Sequence, residues 1–97
     1  MPIYLVDRDL PGMTRDQLAA AHRAAAETAR RFTAAGNPVR YIRSLFLPQQ
    51  ARCLCVFEAR DAECVRSLND TAQIPFTSVT EALELTPPIL QPLESMR

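Results

Sequence analysis

The stretch VRYIRSLFLPQQARCLCVFEA, from Val39 to Ala59, limits the possible folds more than any other part of the chain. Two strand-length runs rich in Val, Ile, Leu, Phe, Tyr and Cys flank Pro48-Gln49-Gln50, a polar break that opens with a residue unable to donate to a central ladder. The pattern predicts a β-hairpin with strands over 39–47 and 51–59. Simple alternation along the first strand sets Ile42 and Phe46 against Tyr41, Leu45 and Leu47. Along the second it sets Cys53, Cys55 and Phe57 against Leu54 and Val56. A sheet wetted on one side would carry polar residues there. Here both sides are apolar, so both are expected to be covered.

The flanking segments complete the order. PIYLVDR, from Pro2 to Arg8, reads as a first strand with Ile3, Leu5 and Asp7 on one face and Tyr4, Val6 and Arg8 on the other. After Pro11-Gly12, Thr14 opens a helix with Gln17 at capping-box spacing, and Gly36-Asn37-Pro38 ends it. Its apolar stripe is Leu18, Ala21, Ala25, Ala29 and Phe32. Asp61 caps a shorter helix with the stripe Cys64 or Val65, Leu68 and Ala72, and a last strand is expected near 77–85. The order β-α-β-β-α-β is the ferredoxin-like α+β pattern: a four-stranded antiparallel sheet with two helices on one face. It is expected to occupy residues 1–86, followed by a Pro-rich tail over 87–97. The simplest cover for the second sheet face is another copy, which predicts a homodimer of the dimeric α/β barrel type.

Composition narrows the function classes. In 97 residues, eleven basic side chains balance eleven acidic ones, without the basic excess of a nucleic-acid binder. No apolar run has the length of a membrane span, and the N-terminus lacks the build of a signal peptide. The expected location is the cytoplasm, where three cysteines would stay reduced. Two glycines in the whole chain leave no phosphate-cradling loop.

The candidate chemistry is sparse. Cys53 and Cys55 project the same way from one strand, about 6.6 Å apart along the chain, which suits a disulfide poorly. They offer a soft metal two of its usual four ligands, although buried free cysteine more often acts as a small apolar residue. His22, the single histidine, falls at the border of the helix's apolar stripe, where imidazole serves as metal ligand, proton carrier or rim residue. Asp7 and Glu58 end their strands and join His22 as the expected metal set. Arg43, inside a strand, needs an anionic partner: a carboxylate such as Glu58, or a ligand. Tyr4 and Tyr41 would present hydroxyls to a cavity. The expected ligand-binding set is therefore Tyr4, His22, Tyr41, Arg43 and Glu58, with no catalytic residue assigned.

Tyr4-Leu5-Val6-Asp7-Arg8 with Pro11-Gly12, Tyr41-Ile42-Arg43-Ser44, and Cys55-Val56-Phe57-Glu58-Ala59 followed by Asp61 resemble a small bacterial family, domain-of-unknown-function family 4242. Pro75 matches the turn before the family's last strand, and the resemblance spans about residues 2–83. It implies a ferredoxin-like homodimer that binds a divalent metal of the nickel type. In the second helix, where the family is expected to carry a histidine, this chain reads Arg66-Ser67-Leu68.

Three functions compete on these grounds, the third a purely structural or regulatory partner engaged through the C-terminal tail. The first is a small binding protein for a metal or small ligand, with no reaction assigned. The alternative is a cofactor-independent oxygenase, isomerase or decyclase of the dimeric barrel type, with a cavity between helices and sheet. That alternative rests on fold analogy alone.

Overall fold

The structure, a computed structural model, describes residues 1–85. Six elements follow in the expected order: β1 (Ile3–Asp9), α1 (Arg15–Ala34), β2 (Val39–Leu47), β3 (Arg52–Ala59), α2 (Ala62–Thr71) and β4 (Ser78–Ala82). The strands form one antiparallel sheet in the order β2-β3-β1-β4, the arrangement of a ferredoxin-like fold. The tail expected over 87–97 lies outside the described residues.

Local chemistry sets the helix ends. Thr14 Oγ1 accepts from the Gln17 amide while the Gln17 side chain accepts from the Thr14 amide, closing a capping box. Asp61 caps α2 through the Cys64 amide. Both helices close with the same reversal. In α1, Asn37 donates to Phe32 and Gly36 to Thr33; in α2, Ile74 donates to Asn69 and Gln73 to Asp70. The reversal needs positive φ, supplied by Gly36 at 94° but by Gln73 at 60°.

One side of the sheet faces the helices. Tyr4, Val6 and Arg8 of β1 and Cys53, Cys55, Phe57 and Ala59 of β3 are buried there, with Ala25 and Ala29 of α1 and Val65 and Leu68 of α2 in the same layer. The alanines on α1 let it lie close to the sheet. Leu68 is fully buried, so the place of the expected family histidine is a core position here. β2 departs from simple alternation. Tyr41 pairs with Phe57 and Arg43 with Val56, leaving Ile42 as an extra residue in a β-bulge. The bulge resets the phase: Tyr41, Ser44 and Phe46 all face the helices, whereas alternation had set Tyr41 apart from Phe46.

The other side carries Ile3, Leu5, Leu54, Val56, Leu45 and Leu47, the last two from β2 beyond the bulge. Ion pairs border it: Arg52 with Asp7, Arg40 with Glu58 at 3.4 Å, and Arg43 with Glu84 at 3.0 Å. Among the described residues no helix is long and apolar enough to cross a membrane.

Candidate metal centre

Strand geometry places two sulfurs side by side. Cys53 and Cys55 point to the helix side of β3, buried, with Sγ atoms 3.7 Å apart and both thiols free. From α1, His22 brings Nε2 to 3.7 Å from Cys53 Sγ. The three ligand atoms all lie within 4.8 Å of one another. Residue 22 and residues 53 and 55 meet only because α1 crosses this part of the sheet, which is why the sequence separates what the fold joins.

Neighbouring side chains orient the donors. Ser44 Oγ donates to Cys55 Sγ at 2.9 Å, and the Tyr41 hydroxyl meets Ser44 Oγ at 2.5 Å. The Tyr41 ring stacks on the His22 imidazole, with centroids 5.9 Å apart and planes 19° from parallel. Tyr41 in turn packs against Phe57, at 5.3 Å. The imidazole is thus held against an aromatic face with one nitrogen aimed at sulfur.

Electrostatics ready the imidazole for a metal and hold the Cys53 thiol protonated. Burial, and after it the positive charge of Arg8, holds His22 below its ordinary value of 6.5. The ring is therefore neutral near pH 7 and keeps a lone pair for a metal. Burial, then the neighbouring Cys55, pushes the Cys53 thiol up to about 11. In the absence of a metal the Cys53 thiol therefore keeps its proton, and binding must displace it. Two thiolates and an imidazole are the donors of soft and borderline transition metals, and the set fits such an ion.

The expected metal set is divided by the sheet. Asp7 and Glu58 lie on the face away from His22, held by Arg52 and Arg40, so His22 is joined by Cys53 and Cys55 in their place. Arg43 pairs with Glu84 rather than Glu58, because the bulge puts Arg43 opposite Val56 and Arg40 opposite Glu58. Of the expected ligand-binding residues, Tyr41 and His22 stack together, and Tyr4 is buried in the core. Tyr41 and Glu58 also line an open groove of about 600 Å³ with Ala29, Arg30 and Arg40. That groove gathers no nucleophile with a base beside it, and the enzyme alternative gains no support. The sequence did hold a signal for the centre: Cys-x-Cys on one strand face together with a histidine at a helix border.

The family model for nickel-responsive proteins like SCO4226 matches residues 4–82. The crystal structure of SCO4226 from Streptomyces coelicolor A3(2) is similar, with a TM-score of 0.74 at 20% identity. The match covers 87% of this chain and 99% of that one, and at this identity the likeness shows the fold alone. No curated protein sequence matches the chain.

Proposed function

The chain belongs to the SCO4226-like family of nickel-responsive proteins, and from that premise we propose that it is a transition-metal-binding protein whose ion is held by His22, Cys53 and Cys55. The observation that carries this reading is the convergence of one imidazole and two thiols within 4.8 Å. The resemblance to domain-of-unknown-function family 4242 is compatible with it, and nickel is the first ion to test. Thiols that must stay reduced suit the cytoplasm.

The working unit in this reading is a homodimer joined through the open sheet face. Its apolar centre would be left wet in a single copy. The bordering charges are already paired, Asp7 with Arg52 and Glu58 with Arg40, so an identical face meets no net repulsion across a two-fold axis.

Nickel titration of reduced, untagged protein tests the site. Binding should raise a thiolate-to-metal charge-transfer band in the near ultraviolet, and Cys53→Ser with Cys55→Ser should remove both band and binding. Nickel bound equally well by the double variant, with no such band, would place the ion elsewhere and overturn the assignment.

A further inference from the structure

Arg8 is 2% exposed, on the same sheet face as the two thiols and directly across from Cys53 in the β1–β3 register. Its guanidinium donates to Asn69 Oδ1 at 2.8 Å and to the Pro75 carbonyl at 3.2 Å, both neutral acceptors. Among the described residues, no carboxylate lies within ion-pair distance of it. A buried cation without a counter-ion is costly unless something else supplies negative charge. As the β1–β3 partner of Cys53, on the same sheet face, Arg8 stands beside the metal centre.

We propose that Arg8 is the charge counterweight of the His22–Cys53–Cys55 centre and matches it to a monovalent soft cation, copper(I), in preference to a divalent ion. This rests on the metal-binding reading above and deepens it. Two thiolates and one copper(I) carry a net single negative charge, which Arg8 cancels; His22 stays neutral. A divalent ion on the same donors makes a neutral complex and leaves Arg8 unbalanced. On binding, two S–H bonds give way to two S–Cu bonds, both protons leave to solvent, and the copper keeps its oxidation state.

The spacing agrees with the charge. With metal–sulfur bonds of about 2.3 Å, sulfurs 3.7 Å apart subtend an angle of about 107° at the ion. That is close to tetrahedral, the geometry open to filled-shell ions, and wider than the right angle between neighbours in square-planar nickel(II).

Arg8→Met and Arg8→Lys separate charge from packing. Copper(I) affinity is read anaerobically against a competing copper(I) chelator, and nickel(II) affinity by titration. Arg8→Met should lower the copper(I)-to-nickel(II) affinity ratio at least tenfold, and Arg8→Lys should restore most of it. Asn69→Asp sets a carboxylate against Arg8 and neutralises it in place; it should lower the ratio in the same direction should Arg8→Met fail to fold. In the wild type, buffered to equal free concentrations of the two ions, native mass spectrometry should find the copper complex. A ratio unmoved by the folded variants, or nickel alone bound to the wild type, overturns the proposal while leaving the metal site standing. Binding of neither ion removes both.

Discussion

Tyr41 and Ser44 meet hydroxyl to hydroxyl at 2.5 Å, although residues three apart on a regular strand face opposite sides of a sheet. The extra residue Ile42 makes the meeting possible, and through it the Tyr41 ring reaches His22 while Ser44 reaches Cys55. One bulge therefore ties both ends of the ligand set to a single strand. Outer partners of this kind typically change metal affinity by about 10–100-fold when removed. Ser44→Ala should weaken the bound metal by about tenfold with the fold intact, measured by chelator competition and circular dichroism.

The pH dependence of the metal-free protein follows from His22. Burial first, and the Arg8 charge second, depress its folded value below the unfolded 6.5. The unfolded chain then binds the proton more readily. This contribution to stability is present above about pH 6.5 and is lost as pH falls through the folded value. The thermal midpoint of chelator-treated protein should fall from about pH 7 to about pH 5, the window set by histidine. His22→Ala should flatten that fall.

The open sheet face makes a prediction about assembly. Val56 lies opposite Arg43 on β2 and Leu5 on β1, near the middle of the apolar patch. Light scattering at micromolar protein should give twice the 10.8 kDa chain mass. Val56→Asp should give the single-chain mass, because an unpaired charge in a closed interface costs several kcal/mol.

Gln73 holds the left-handed turn after α2 at φ 60°, where α1 uses Gly36. A side chain pays a steric cost in that region that glycine avoids. Gln73→Gly should raise unfolding stability by about 0.5–1 kcal/mol in chemical denaturation, since the backbone bonds of the turn are unchanged.

Much of the fold was legible because its signals are local. The capping pair Thr14 and Gln17, the cap Asp61 and the break at Pro48 each act within a few residues. The faces of β1 also follow from alternation alone, Arg8 included. The bulge at Ile42 was not legible: no glycine or proline marks it, and only pairing with β3 reveals the extra residue. For the same reason the partners of Arg43 and Glu58 were not readable from spacing. The metal centre fell between the two cases. Alternation puts Cys53 and Cys55 on one face and periodicity puts His22 at the helix border, but joining them requires the crossing of α1 over the sheet. Asp7 and Glu58 looked equally suitable as ligands until the sheet stood between them and His22.

The most direct measurement is X-ray absorption at the metal edge of the reduced, loaded protein. Coordination by Cys53, Cys55 and His22 predicts two sulfur scatterers at about 2.3 Å together with an imidazole pattern, both lost in Cys53→Ser with Cys55→Ser. A first shell of oxygen and nitrogen alone, unchanged in that double variant, would contradict it.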